Sequence, residues 1–347
     1  MRVRRPSTKP ASVWPIHRLA DAAEGRIRVA VYRALQAARA EVSLADIERA
    51  YTGTTPDLLW ASPGWQAMRN ALYEAVRVVL AAEVRLLAAD AFQRMPPVRK
   101  LDDGTVQAAG LFALVNERAV SWANREAAEL VVQVDAETRA AIRLLILRMQ
   151  RGHLTVAQAA RELRQIVGLT TQQAQAVFNF RRQLEDRAGL IDLTAKERRA
   201  LTDAQRAAVG RSLVDTQAKI EKAVDRYERR MRRYRATTIA RTESMTAANR
   251  GQQEAWLAAR DKGLLDPDVA QRWIITPDER LCPICEPMDG VTAPLGGLFS
   301  NPETSAQYSG PPAHPNCRCA VALEIKPPTL DAEGERLAAG ISVRFLP

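Results

Sequence analysis

Along most of this chain apolar positions return every third or fourth residue, the period of one helix face. In "EGRIRVAVYRALQAARAEV", Ile27, Val31, Leu35 and Ala38 keep that spacing. Ser43 followed by Asp46 resembles a capping box and predicts a short helix behind it. "YTGTTPDLLWASPGW" carries Gly, Thr and Pro breakers and reads as a loop. A helix is then predicted from about Gln66 to Met95, with Leu72, Val76, Val79 and Leu86 as its apolar face. Pro96 and Pro97 end it, because proline cannot continue a helix.

Two further helices are predicted in "RAVSWANREAAELVVQV" and "AETRAAIRLLILRMQRG", the second closed by Gly152. A small echo follows. Leu154, Thr155, Gln158 and Ala159 return as Leu169, Thr170, Gln173 and Ala174. Both threonines stand where an N-cap is expected, so two short helices joined at Gly168 are predicted. Two copies are too few for a solenoid. Thr194 with Glu197 opens another capped helix, and a long, highly charged helical stretch runs from Asp215 to about Gly263.

After "RDKGLLDPDVA" the pattern changes. Trp273 to Thr276 reads as a strand and Pro277-Asp278 as a turn. Asp289-Gly290 is a tight-turn signal. A Gly/Pro/Ser-rich loop leads to a second strand from Cys319 to Ile325, and a loose tail begins at Lys326. The 347 residues allow two or three domains, and a 47% hydrophobic content is ample for their cores. The expected division is 1–110, a basic arm and helical region; 111–235, a helical domain; 236–325, a compact C-terminal domain; and 326–347, a tail.

Charge adds a candidate partner. The chain carries a net +10, and seven lysines leave 43 arginines among its 50 cationic residues. Such a balance suits nucleic acid or an acidic protein surface; the plainer reading is a solvated, arginine-rich helix surface. Arg226, Arg229, Arg230, Arg232, Arg233 and Arg235 crowd three turns and are the nucleic-acid candidates, although as a set of six they spread around the helix. Only Tyr227 and Tyr234 interleave them, which weakens single-strand stacking. No segment reads as a membrane span: Glu74, Arg77, Glu83 and Arg85 break the best apolar run. The basic N-terminus lacks the apolar stretch of a secretory signal. Cytosolic synthesis is therefore expected, and with it reduced thiols.

All four cysteines fall in "LCPICEPMDG" and "PPAHPNCRC". Cys282-x2-Cys285 is a zinc-knuckle spacing, which aims two thiolates at one point. His314-x2-Cys317 repeats it, and Cys319 stands two residues further on. Five candidates thus compete for four tetrahedral places, with Cys282, Cys285, His314 and Cys317 preferred and Cys319 in reserve. Disulfides and plain buried thiols are the alternatives. A structural zinc leaves no open position for water, whereas a catalytic one needs it. The deaminase pattern is absent, since no glutamate follows His314 as His-x-Glu requires. His17 and His153 are isolated and read as surface or cap residues; Glu243-x-Met245 lacks a second glutamate; no phosphate loop or dinucleotide fingerprint occurs.

Three blocks, in order and at these intervals, carry a resemblance: "TTIARTESMTAANRGQQEAW", "WIITPDERLCPICEPMDG" and "PPAHPNCRC". Residues 237–325 resemble the phage Mu F-like minor head proteins, also called phage head morphogenesis proteins. The helical stretch upstream is similar with less distinctive residues, and residues 1–110 match no family pattern. The resemblance implies a minor capsid protein of a tailed phage, made beside the portal protein and assisting head assembly, DNA packaging or delivery. It carries the family's cysteine and histidine positions onto Cys282, Cys285, His314, Cys317 and Cys319. Some relatives bear enzyme or toxin domains after this block; here 28 residues follow Cys319, so a non-enzymatic role is expected.

The expected fold is mainly α: an elongated helical body with a small zinc-stapled α/β C-terminal module. Structural zinc is the expected cofactor. Portal protein and major capsid protein are the expected partners, with packaged double-stranded DNA a third candidate, and the phage head or portal vertex is the expected location. The competing function is a zinc-assisted nuclease with His314 in catalysis.

Overall fold

The computed structural model describes residues 15–52, 57–94, 108–150, 155–187, 203–276 and 281–324. The N-terminal arm, Pro96–Pro97, Gly152, His153, Leu154, the Thr194–Glu197 cap, the Pro277-Asp278 turn and the C-terminal tail lie outside them. Eight α-helices run in order among the described residues: α1 Pro15–Glu41, α2 Leu44–Thr52, α3 Asp57–Trp60, α4 Pro63–Gln93, α5 Ala108–Gln150, α6 Val156–Gln165, α7 Thr171–Arg187 and α8 Asp203–Asp261. Short strands follow: β1 Ala270–Ile274, β2 Thr292–Pro294, β3 Phe299–Ser300, β4 Gln307–Tyr308 and β5 Ala320–Glu324. The fold is mainly helical with a small C-terminal sheet region, as expected.

The chain divides into two compact units, each gathered from separated segments. The first holds the described residues of Val29–Val76 and Ala127–Thr237; the second holds those of Met1–Arg28, Arg77–Glu126 and Thr238–Pro347. The boundaries between the units fall inside α1, α4, α5 and α8.

Periodicity accounts for the helices unevenly. On α1, Ile27, Val31, Leu35 and Ala38 are all buried, as their spacing predicts. On α4, Leu72 and Val76 are buried, but the core face continues through Leu80 and Val84. Val79 is half-buried and Leu86 is exposed. The run Val78–Leu80 offers three adjacent apolar residues, and only packing selects among them. The two helices expected between Arg118 and Arg151 are one, α5. Asp135, where the two were expected to part, is buried and accepts the Trp65 indole N–H at 2.7 Å. Trp60 meets Trp65 edge to face at 4.6 Å.

The echo in the first unit is a repeated cap. Thr155 Oγ1 accepts the Gln158 N–H at 3.3 Å while Gln158 Oε1 accepts the Thr155 N–H at 3.0 Å. Thr170 and Gln173 repeat the exchange at 3.3 and 3.2 Å. Each box satisfies two otherwise orphaned groups. Gly168 joins α6 to α7 with φ +80°, a conformation glycine adopts without strain. Ala159 and Ala174 are both fully buried in the same core.

In the second unit α8 backs a three-stranded antiparallel sheet of order β2-β1-β5. The strand predicted at Trp273–Thr276 begins three residues earlier, at Ala270, and ends at Ile274, past which Ile275 donates its N–H to Asp289 Oδ1. Gly290 turns the chain at φ +73° and donates to the Trp273 carbonyl at 3.0 Å. Trp273 is fully buried between Phe299 and Tyr308, with ring centroids 5.4 and 5.9 Å away. Gly251 lets α8 approach α4 closely: a Cβ there would lie 2.9 Å from the Ala88 backbone nitrogen.

Candidate metal centre

Two tight turns build the cluster, and they close alike. Cys285 N–H donates to the Cys282 carbonyl at 3.0 Å, and Cys317 N–H donates to the His314 carbonyl at 3.1 Å. The second turn needs a left-handed residue, and Asn316 supplies it at φ +62°, a region Asn tolerates better than most side chains. Asn316 N–H donates to Thr242 Oγ1 of α8 at 3.1 Å.

These turns bring all five predicted residues into one place. His314 Nε2 lies 2.9 Å from Cys282 Sγ and 3.2 Å from Cys285 Sγ, and Cys285 Sγ lies 3.6 Å from Cys317 Sγ. Adjacent ligands of a tetrahedral zinc stand about 3.5–3.8 Å apart, given bonds of about 2.0–2.3 Å. The observed separations lie within several tenths of an ångström of that spacing. The ligand atoms of Cys282, Cys285 and His314 lie within 4.8 Å of one another, as do those of Cys285, Cys317 and Cys319. Cys285 belongs to both groups. The centre encloses a cavity of about 20 Å³, lined by all five residues with Thr276 and Arg318 among the remainder. All four cysteines are free thiols.

The surroundings prepare donors. His314 Nδ1 lies 2.9 Å from the Pro315 carbonyl, which can only accept, so Nδ1 donates there and Nε2 is the nitrogen turned to the sulfurs. Hydrogen bonds from Cys285 and Cys319 hold the Cys317 thiol far below its ordinary value, to about 2, against the opposing effect of burial. Cys285, donating to Cys317 and Cys319 and buried besides, is pushed far up. For Cys319 the lowering effect of Cys285 is outweighed by Cys317 and burial, and its thiol rises to about 12. Three crowded sulfurs thus favour one thiolate, and a cation among them would favour the rest. Thiolate and imidazole donors of this kind could hold a metal ion.

A supporting shell, unforeseen in the sequence, fixes the loops. Asn249 Nδ2 donates to the Cys319 carbonyl at 3.2 Å and its Oδ1 accepts the Val321 N–H at 2.9 Å, covering the free edge of β5. Gln253 donates to Gln271 and to the Ser309 carbonyl. Asn301 donates to the Ile284 carbonyl inside the first knuckle. The Arg318 carbonyl accepts from Thr276 Oγ1 at 2.8 Å and lies 2.9 Å from His17 Nε2. His17 is therefore not an isolated surface residue: it is buried in the first turn of α1, against the metal loop. Asn249 and Gln253 stand in the quoted "RTESMTAANRGQQEAW" helix, but no local pattern marks which strand they hold.

The six arginine candidates separate. Arg226, Arg229, Arg230 and Arg233 are exposed. Arg232 and Arg235 are not available to nucleic acid, because both point inward. Arg232 pairs with the equally buried Glu228 and donates to the Gln165 and Val167 carbonyls at 3.1 and 3.0 Å. Arg235 donates to the Gly168 carbonyl at 2.7 Å and to Glu137. Together they satisfy the buried carbonyls at and just beyond the end of α6, which the helix itself leaves unpaired, a site that favours cations.

The family model described as "Phage Mu protein F like protein" matches residues 144–322. No curated protein and no solved structure matches the chain. The matched span takes in α6, α7, the whole of α8 and both cysteine knuckles. It covers just over half of the 347 residues, and the protein belongs to the phage Mu protein F like family.

Proposed function

We propose that this chain is a minor capsid, head morphogenesis protein of a tailed phage. Its C-terminal cluster is a closed structural zinc site held by Cys282, Cys285, His314 and Cys317, with Cys319 behind it. The observation that carries this reading is the coincidence of the family match with a centre in which every matched thiol converges. The three direct contacts join these four residues in a chain, 282 to 314, 314 to 285 and 285 to 317. Cys319 shares the Cys285 and Cys317 group and also gives its N–H to Cys317 Sγ at 3.5 Å, the position of a supporting donor to a thiolate.

When bound, zinc supplies a cross-link between two loops that have few apolar side chains of their own. Four protein donors leave no coordination position for water or substrate, so the role is not catalytic. The partners are the phage portal protein and major capsid protein, and the location is the virion. Among the described residues no helix is long and apolar enough to cross a membrane. Co-expression with the portal and major capsid proteins of its phage tests the assembly role. The chain should sediment with the particles or co-purify with portal. A chain that stays free of both contradicts the role.

A further inference from the structure

Removing the two inward arginines from the cluster on α8 changes what remains. Arg226, Arg229, Arg230 and Arg233 are exposed, and so are Lys219 and Lys222 on the same helix. At about 100° per residue these six cations occupy a single sector about 100° wide. No other residue between 219 and 233 falls in it. The carboxylates of this stretch lie on other sides of the helix. Glu221 accepts from Arg181 at 2.6 Å, Asp225 faces Gln165 at 3.4 Å, and Glu228 pairs with Arg39 and Arg232. Arg226, Arg229, Arg230 and Arg233 form no ion pair among the described residues, and Arg233 lies over the Tyr32 ring at 5.7 Å.

We infer that this stripe is a binding surface for the phosphate backbone of double-stranded DNA. From residue 219 to residue 233 it runs about 21 Å at 1.5 Å per residue. One strand of duplex DNA presents a phosphate about every 3.4 Å, so that length faces about six phosphates. Six cations face about six phosphates, and no carboxylate of residues 219–233 lies within the sector. The stripe holds no apolar or aromatic residue, whereas the centre of a protein–protein interface is depleted in charge and enriched in aromatics. Guanidinium groups also take phosphate oxygens in pairs. Contacts to phosphate oxygens carry no sequence information, so binding through the backbone is indifferent to sequence. The inference uses none of the Cys/His chemistry and stands apart from the zinc reading.

The test is fluorescence anisotropy of the full chain with two unrelated 30-bp duplexes across a KCl series. Wild type should bind both equally and lose about 1,000-fold in affinity between 50 and 200 mM salt, as about six neutralised phosphates require. R226Q/R229Q/R230Q/R233Q should lose only about tenfold over that range. A control, R18Q/R28Q/R33Q/R85Q, neutralises four arginines that are equally exposed elsewhere and should keep the wild-type slope. If the quadruple variant unfolds, R226Q/R230Q and R229Q/R233Q read the same quantity, each lowering the slope by about 1.8. Equal losses in control and stripe variants overturn the assignment in favour of bulk charge. An unchanged slope in the stripe variants overturns it in favour of an acidic protein surface.

Discussion

Asn249→Ala measures how far α8 holds the metal loops in place. The wild-type amide spans two positions of β5, giving a hydrogen bond to the Cys319 carbonyl at 3.2 Å and taking one from Val321 N–H at 2.9 Å. Both partners are buried. Alanine removes these two bonds, worth about 1 kcal/mol each, together with a third from the amide to the Met245 carbonyl at 2.9 Å, and leaves a buried Cys319 carbonyl and Val321 N–H without that partner, each costing about 1–3 kcal/mol where water cannot reach. With partial hydration the net loss should be about 2–4 kcal/mol, a large share of the ordinary 5–15 kcal/mol stability of a domain. Urea denaturation followed by tryptophan fluorescence reads it, because Trp273 is fully buried beside β5. A loss below about 1 kcal/mol would refute the idea that this one amide fastens the strand. In that case the knuckles and the sheet hold β5 unaided.

Two further outcomes follow from the buried charges. Arg232→Met leaves the buried Glu228 carboxylate with only the Arg39 guanidinium at 3.3 Å and should cost about 3–5 kcal/mol, while adding Glu228→Leu should recover much of it; chemical denaturation of single and double variants checks both. Acid should weaken the first unit through Glu221. Hydrogen bonds from Arg181, against the effect of burial, hold its carboxyl below the ordinary 4.5. Because the folded value is the lower one, this contribution is present above about 4.5 and disappears as pH falls through the folded value. Urea midpoints recorded from pH 6 downward should fall less steeply in Glu221→Gln than in wild type.

What could be read from the sequence was local. The caps at Thr155 and Thr170 are legible because side chain and backbone partner lie three residues apart. The α1 face is legible because its apolar residues have polar neighbours, whereas Val78, Val79 and Leu80 left α4 ambiguous. The cysteine knuckles were legible by spacing, since each turn builds its own geometry. Long-range partners were not. Arg232 and Arg235 look like surface charge until α6 presents its terminal carbonyls to them. His17 looks isolated until the Arg318 carbonyl, 301 residues away, meets it. The inward turn of two arginines also left the other four on one side, which six evenly charged letters had concealed.

The most direct test of the central claim is metal content with protease resistance measured on the same sample. Purified reduced protein should hold about one zinc per chain by elemental analysis. A strong chelator should remove it and expose residues 270–324 to proteolysis, because the two knuckles then lose their common anchor. Metal-free protein whose C-terminal region stays protected in chelator would contradict the account.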